Sequence, residues 1–231
     1  MYILLVLGAV GFLVCLLLTW FLRDLAIRLG FVDYPDAERK LHVRPIPRIG
    51  GVAIMASYAL ALGVALLVEH FRGGPYVHHS AVLRSLLPAV AVIFLTGLAD
   101  DLFNLRPWQK LLGQFAGASI AVGTGTALAL GSVAGLQHSH FWTSPWLNIP
   151  LSLLWLVGCS NAVNLIDGLD GLAAGVGFFA TGSALIFALI TGNMGLAFAT
   201  MPLAACLLAF LCFNFNPASI FLGDSGSLSI G

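Results

Sequence analysis

The sequence carries very little charge: Asp, Glu, Lys and Arg make up 9% of its 231 residues, whereas apolar residues make up 59%. A water-soluble domain has about a quarter of its residues charged, so this composition and the mean hydropathy of +0.99 exclude one. The apolar runs are nearly continuous, which excludes the alternating strands of a lipid-facing barrel. We therefore predict an all-α, polytopic transmembrane helical bundle.

Cysteine is also scarce, and the few cysteines show no metal-binding or disulfide pattern. Cys15, Cys159, Cys206 and Cys212 all lie inside apolar runs, without a C-x-x-C spacing, so we interpret them as small packed side chains. The formal net charge is zero, so no basic surface indicates nucleic acid as a partner. No repeat, low-complexity tract or linker interrupts the chain, and residues 1–231 are predicted to form one integral-membrane domain.

Seven apolar segments approach the length of about 20 residues that a bilayer requires. They are residues 1–22, 50–68, 85–98, 111–133, 147–163, 172–191 and 196–213. The first lacks the positive n-region and cleavage site of a secretory signal. It is followed by Arg23 and Arg28, which favours an N-terminus outside the cytoplasm. Residues 228–231 are predicted to begin another segment.

The distribution of charged residues supports this topology and indicates that the reactive groups lie on one side of the membrane. The predicted cytoplasmic connections are residues 23–49, 99–110, 164–171 and 214–227. Eight of the ten Lys and Arg residues lie in them, as the positive-inside rule requires. Nine of the ten Asp and Glu residues lie there too, although that rule says little about acidic residues. We therefore expect the chemistry at the cytoplasmic face.

The densest polar motif is N-A-V-N-L-I-D-G-L-D-G-L at residues 161–172. It places Asn161, Asn164, Asp167 and Asp170 within ten residues. Polar groups are costly to bury in lipid unless they are paired or face a water-filled site, so the motif favours a binding site. The alternative is an ordinary turn between helices, where Asn, Asp and Gly are also common.

Two adjacent carboxylates, Asp100 and Asp101, follow the third segment, and Arg106 and Lys110 come soon after. Neighbouring carboxylates repel each other unless a cation or a proton lies between them. Oxygen ligands suit Mg²⁺ or Mn²⁺, and no Cys/His cluster competes. Cationic side chains in the same loop suit phosphate. A solvated loop with membrane-flanking charges is the alternative.

Two further motifs suit anions. G-D-S-G-S at residues 223–227 sets Asp224 among glycines and hydroxyls, which allow backbone N–H groups to approach an anion closely. The loop at residues 33–51 is basic and rich in proline, and it either only orients the protein or holds a phosphorylated head group. Its cationic candidates are Arg39, Lys40, His42, Arg44 and Arg48.

In this order, the four motifs resemble the polyprenyl-phosphate N-acetylhexosamine-1-phosphate transferases of bacterial membranes, in glycosyl transferase family 4. The matching pieces are R-K-x-H-x-x-P-x-P-x-x-G-G from Arg39, Asp100-Asp101 with Lys110, N-x-x-N-x-x-D-G-x-D-G-L from Asn161, and G-D-S-G-S from Gly223. The resemblance implies transfer of a sugar 1-phosphate from a UDP-N-acetylhexosamine to polyprenyl phosphate, with release of UMP. It implies Mg²⁺, or Mn²⁺ in its place, and a site on the cytoplasmic side of the bacterial inner membrane.

The form of the basic loop resembles the branch that uses UDP-GlcNAc to start lipid-linked cell-envelope polysaccharides. The UDP-MurNAc-pentapeptide transferases of peptidoglycan synthesis are the alternative. Members of the family have further spans and a late loop bearing histidines, so the resemblance implies that this chain is C-terminally truncated. Whether the protein is a homodimer stays open.

The resemblance also implies roles for individual residues. Asp224 and Asp101 would be metal ligands, and Asp100, Asp101 and Lys110 would be catalytic, with Lys110 on phosphate. The substrate-binding residues would be Asn161, Asn164, Asp167, Asp170, Arg39, Lys40 and His42.

The chemistry of the acceptor favours direct displacement on phosphorus. A phosphate monoester has a second pKa of about 6 and is mostly dianionic at neutral pH, so a general base adds little. Positioning and charge neutralisation should then supply most of the catalysis. A covalent aspartyl route is the alternative. Two non-enzymatic hypotheses also stay open, a channel or transporter and an inactive truncated scaffold, but transport sites lie at the bilayer midplane, not at segment ends.

Overall fold

The computed structural model describes residues 2–33, 45–72, 81–125 and 144–231. Within these ranges the chain forms helices and connections, with one isolated bridge between Asp33 and Ile46 and no β-strand. The helices are α1 (Tyr2–Leu29), α2 (Gly50–Arg72), α3 (Ala81–Phe103), α4 (Pro107–Gly123), α5 (Pro145–Ile166), α6 (Leu172–Thr191), α7 (Met194–Asn214) and α8 (Gly223–Ile230). The predicted all-α class is confirmed.

Six of the described helices are long and apolar enough to cross a membrane, which confirms a polytopic membrane protein. They are α1, α5, α6, α7, residues 50–68 of α2 and residues 86–103 of α3. The predicted fourth span corresponds to α4, which is described over 17 residues. The predicted end of that span, residue 133, lies outside the described residues.

Helix α4 begins at Pro107, four residues before the predicted apolar segment at residues 111–133. Pro107 occupies the first turn, where its missing N–H costs no hydrogen bond. The side-chain oxygen of Gln109 accepts the N–H of Arg106 at 2.8 Å. This cap lets the helix start on a polar turn, so Lys110 is helical and its side chain has a defined direction.

Helix α3 likewise continues past its apolar run, to Phe103, and Asp100 and Asp101 lie on its last turn. The predicted loop boundary at residue 99 is therefore wrong. The physical reason is that both carboxylates find hydrogen-bond donors at the end of the helix, so leaving the apolar run does not end the helix there. Their directions are consequently set by helical geometry.

The core of the bundle lies around α7, which packs against α1, α2 and α6. Phe198, Leu207 and Phe210 of α7 are almost fully buried there. Cys15 and Cys206 face each other between α1 and α7, and the thiol of Cys15 donates to the carbonyl of Cys206 at 3.2 Å. Ile220 and Leu222, which precede the short helix that follows α7, belong to the same buried core.

Helix α8 is only eight residues long and is enclosed by other helices, since it packs against α2, α3, α5 and α6. Close approach requires glycine on the neighbours. A Cβ at Gly51 of α2 would overlap the backbone of Gly226, and a Cβ at Gly97 of α3 would overlap the carbonyl of Asp224. The surrounding helices thus hold α8 in place, and Asp224 with it.

The segment before α8 is paired with the start of α2 and the residues just before it. The N–H groups of Gly50 and Gly51 donate to the carbonyls of Phe221 and Leu222 at 2.9 and 2.7 Å, and the N–H of Phe221 donates to Pro47 at 2.8 Å. These hydrogen bonds hold the end of the basic loop beside the start of α8.

Candidate functional site

The polar motifs meet at one end of the bundle, around the first turn of α8. The groups come from the ends of α3 and α5, the start of α4, the residues before α2, and α8 itself. Segments that lie far apart in the sequence thus form one charged cluster, which we call the ionic cluster. Its members are Arg48, Asp100, Asp101, Lys110, Asp167 and Asp224.

Asp224 lies at the centre of the ionic cluster, with a cation on each carboxylate oxygen. The ammonium of Lys110 pairs with Oδ2, and Nη2 of Arg48 lies 3.2 Å from Oδ1. Burial raises the pKa of Asp224, but its hydrogen bonds with Asp100 and Lys110 and the charges of Lys110 and Arg48 outweigh that effect. The net pKa lies below the usual value, so Asp224 is ionised at neutral pH.

Lys110 also pairs with Oδ2 of Asp100, at 2.7 Å, and therefore bridges two carboxylates. The other oxygen of Asp100 accepts the N–H of Leu105 at 2.8 Å, which closes the connection between α3 and α4. Asp100 thus contacts the centre of the cluster both through its hydrogen bond with Asp224 and through Lys110. Its predicted catalytic role stays a prediction.

Asp101 has different partners, although it is the next residue. Its Oδ1 accepts the N–H of Asp224 at 2.8 Å, and its Oδ2 accepts the N–H of Ser225 at 2.9 Å. Both oxygens are therefore engaged by the backbone of α8. The predicted roles of Asp101, catalysis and metal binding, stay predictions, and either would have to share these oxygens.

Asp167 follows directly after α5 and is partly buried. Burial raises its pKa to about 7, the charges of Asp224 and Asp101 add to the rise, and Arg48 opposes it. A carboxylate in this position favours the approach of another cation, because a positive charge would stabilise its ionised form.

The two asparagines of the same motif lie on the last turns of α5 and connect it to neighbouring helices. Asn161 and the buried Gln114 of α4 exchange side-chain amide hydrogen bonds, and Asn161 also donates to the carbonyl of Val157 at 2.8 Å. Asn164 donates to the hydroxyl of Ser227 at 2.8 Å. In this structure both amides bind protein, and their predicted contacts with substrate stay predictions.

Asp170 lies in the turn between α5 and α6 and holds the loop that leads to α8. Its Oδ2 accepts from the side chain of Asn216 at 3.1 Å and from the N–H of Ala218 at 2.9 Å. The buried side chain of Asn214 reinforces this link, since it accepts from Gly171 and donates to the carbonyl of Ile220. The predicted contact of Asp170 with substrate is untested. The structure shows that Asp170 also anchors the loop before α8.

Three residues contribute to the site beyond the roles predicted for them. Arg48 was a candidate only for binding a head group with the basic loop, and neither Gln114 nor Asn214 was predicted to have a role. The sequence does contain a signal for Gln114, because this residue lies one turn after Lys110 on the same helical face. Arg39, Lys40, His42 and Arg44 lie outside the described residues, so their predicted roles are untested.

The donor chemistry of the ionic cluster fits a hard divalent cation. The described residues contain no group of three Asp, Glu, His or Cys side chains that could enclose a metal ion. Mg²⁺ does not require one, since it binds through one or two carboxylates together with water and substrate phosphates. Asp224 and Asp167 supply oxygen donors only, while Lys110 and Arg48 supply positive charge for phosphates. This set suits Mg²⁺ or Mn²⁺ better than zinc.

Comparison with known proteins gives several matches. The family model described as glycosyl transferase family 4 matches residues 83–231. A probable undecaprenyl-phosphate N-acetylglucosaminyl 1-phosphate transferase of Bacillus subtilis (strain 168) is 35% identical over 222 residues, which cover 96% of this chain and 58% of the relative. A decaprenyl-phosphate N-acetylglucosaminephosphotransferase of Mycolicibacterium smegmatis is 36% identical over 230 residues, covering 92% of this chain and 54% of the relative.

A second kind of relative also matches. A phospho-N-acetylmuramoyl-pentapeptide-transferase of Limosilactobacillus fermentum is 34% identical over 194 residues, which cover 80% of this chain and 57% of the relative. The chain thus spans a little over half the length of the curated relatives it matches.

Proposed function

Since the chain belongs to glycosyl transferase family 4, we propose that the protein transfers GlcNAc 1-phosphate from UDP-GlcNAc to polyprenyl phosphate and releases UMP. The reaction would start the synthesis of a lipid-linked cell-envelope polysaccharide. The names of the relatives in Bacillus subtilis and Mycolicibacterium smegmatis support this activity.

The observation that carries the proposal is the ionic cluster, where Lys110 and Arg48 face the carboxylates of Asp100, Asp167 and Asp224 at one end of the bundle. The reaction must bring a dianionic lipid phosphate to an anionic diphosphate, so it requires positive charge held in a fixed place. The cluster provides two cationic side chains and carboxylates that suit a divalent ion. Its position at helix ends fits a lipid head group at the membrane surface.

The residues of the ionic cluster would have different roles in binding the substrates and the metal ion. Lys110, held by Asp100, would bind a phosphate oxygen, and Arg48, whose side chain is 49% exposed, would bind a second one. Asp224 and Asp167 would hold Mg²⁺, which when bound would neutralise charge on the diphosphate. Asn161, Asn164 and Asp170 would shape the nucleotide-sugar site, and Arg39, Lys40 and His42 would bind a head group.

We place the protein in the bacterial inner membrane with the ionic cluster facing the cytoplasm. The distribution of Lys and Arg among the predicted connections supports this orientation. A soluble UDP-sugar would then reach the site from the cytoplasm, and the lipid phosphate would reach it from the bilayer.

The donor sugar has one alternative that a specific observation favours. The match to the Limosilactobacillus fermentum relative supports UDP-MurNAc-pentapeptide. The matches to the two N-acetylglucosamine transferases cover more of the chain, 96% and 92% against 80%, and we therefore favour UDP-GlcNAc.

The test is Mg²⁺-dependent release of UMP by the protein in detergent micelles with polyprenyl phosphate. We expect UMP from UDP-GlcNAc, no UMP after EDTA, and recovery with Mg²⁺ or Mn²⁺. The control variant is Asp224→Asn. Release from UDP-MurNAc-pentapeptide alone would select the alternative donor. Solute flux without UMP would indicate a transporter. The absence of both UMP and solute flux would indicate a scaffold.

A further inference from the structure

We propose that Asp101 is a positioning residue, whose carboxylate holds the first turn of α8 and thereby sets the direction of the Asp224 side chain. Asp101 would then not contact metal or substrate. The inference rests on the proposed function in one respect only, namely that Asp224 belongs to the active site. The contact between α3 and α8 does not depend on that function.

The hydrogen bonds of Asp101 carry the proposal. The first N–H groups of any helix lack partners within the helix, and those of Asp224 and Ser225 donate instead to the two oxygens of Asp101, at 2.8 and 2.9 Å. Hydrogen bonds to an ionised acceptor are stronger than neutral ones, and a negative charge is favourable at a helix N-terminus. One side chain thus completes the start of a helix 123 residues further along the chain.

The packing of α3 against α8 supports the same role. Gly223, which opens α8, has φ +74, and a Cβ there would lie 2.8 Å from Oδ2 of Asp101. Gly97 lies one turn before Asp101 on α3, and a Cβ there would overlap the carbonyl of Asp224. The two backbones therefore approach as closely as glycine allows, on both sides of the Asp101 carboxylate.

The contrast with Asp100 shows that the adjacent carboxylates have different tasks. Consecutive residues point about 100° apart around a helix. Asp100 consequently reaches Lys110, whereas Asp101 reaches the backbone of α8. In the D-D pair, Asp100 thus forms an ion pair with Lys110, and Asp101 positions Asp224.

The first experiment is thermal unfolding of the protein in detergent with EDTA, so that no metal contributes. Asp101→Asn replaces one acceptor by an amide donor facing a backbone N–H, and we expect Tm to fall by roughly 3–10 °C. If Asp101 were instead a metal ligand, removal of one negative charge from a carboxylate-rich site would leave Tm unchanged or raise it. Asp167→Asn is the control, because it also removes one carboxylate charge from the ionic cluster. We expect no fall in Tm for this variant.

The second experiment separates positioning from simple loss of stability. Gly97→Ala keeps the Asp101 carboxylate but displaces Asp224, so it should reproduce the Asp101→Asn phenotype: kcat lowered roughly 10- to 100-fold, with KM for UDP-GlcNAc within about threefold. Phe198→Leu, in the core of α7, should lower Tm and leave kcat per folded molecule unchanged.

Binding of Mn²⁺ alone, followed by electron paramagnetic resonance, gives a readout independent of activity. We expect Asp101→Asn and Gly97→Ala to weaken binding several-fold, and Phe198→Leu to leave it unchanged. An unchanged Tm with complete loss of Mn²⁺ binding in Asp101→Asn would overturn the proposal, as would full activity in Gly97→Ala. If the unmodified protein released no UMP, the proposed function would fail, while the unfolding and Mn²⁺ results would still decide the role of Asp101.

Discussion

Arg48 and Asp224 lie 176 residues apart in the sequence, yet Nη2 of Arg48 is 3.2 Å from Oδ1 of Asp224. Lys110 contacts the other oxygen of the same carboxylate. Both cations are therefore held at a carboxylate that we propose as a metal ligand. A metal ion at Asp224 would compete with them, and phosphate groups of the substrates would be natural new partners for the side chains it displaces.

The first prediction concerns Arg48. Arg48→Ala removes a guanidinium that can bind phosphate through two parallel hydrogen bonds, so we expect kcat/KM for UDP-GlcNAc to fall about tenfold or more. Arg48→Lys should restore only part of this loss, since an ammonium cannot form the paired bonds. UMP release at varied UDP-GlcNAc measures the effect.

The control for Arg48 is Arg23→Gln. Arg23 pairs with Asp24 at 2.8 Å on α1 and belongs to none of the contacts of the ionic cluster described above. We expect kcat/KM to stay within about twofold of the unmodified enzyme. Equal losses in Arg48→Ala and Arg23→Gln would show that only general surface charge matters.

The second prediction orders three residues of the ionic cluster. Asp224→Asn or Lys110→Ala should lower kcat roughly 100- to 1,000-fold, because Lys110→Ala removes a cation that would bind phosphate and Asp224→Asn weakens the binding of the metal ion that would neutralise the diphosphate. Asp100→Asn should cost less, since Asp100 acts through Lys110 and Asp224 and the dianionic acceptor needs little general-base help. The measurement is single-turnover UMP release. Complete loss in Asp100→Asn alone, with metal and both substrates still bound, would favour a base-dependent or covalent route.

The third prediction concerns pH and Asp167. Its pKa in the folded protein is raised to about 7, mainly by burial, whereas an unfolded chain has the ordinary, lower value. The folded state therefore holds more protons between these two values, and stability falls as pH rises through that interval. We expect Tm in EDTA to be lower at pH 8 than at pH 5, and Asp167→Asn to reduce this difference.

Metal provides the check on that pH dependence. A divalent cation near Asp167 would favour the ionised form, so added Mg²⁺ should raise Tm more at pH 8 than at pH 5. The same pH dependence in Asp167→Asn as in the unmodified protein would assign the titration to another group.

The fourth prediction tests the amide pair between α4 and α5. Asn161→Leu leaves the buried amide of Gln114 without its partner and should destabilise the protein by about 1–3 kcal/mol, and Gln114→Leu should cost less, because the half-buried amide of Asn161 keeps its bond to the carbonyl of Val157. The double variant should lose less than the sum of the single losses, because no amide is left unpaired. Chemical or thermal unfolding of the four proteins measures this coupling. Strict additivity would show that the two amides do not depend on each other.

The membrane fold could be predicted because it depends on local properties of the sequence. Apolar runs of bilayer length require helices, since lipid offers no hydrogen bonds to an open backbone. The ends of the helices could not be predicted equally well. Asp100 and Asp101 were expected in a loop, because they lie beyond an apolar run, but they are helical, because their partners on α4 and α8 hold them there.

Composition, run length and motif spacing are sufficient to predict that the chain crosses the membrane repeatedly and that its carboxylates, amides and cations lie at the ends of apolar segments. The partner of each carboxylate depends instead on how the helices pack, which no local pattern in the sequence records. Asp100 and Asp101 are adjacent and chemically identical, so their different partners follow from the direction each takes on α3 and from the helix that packs against it.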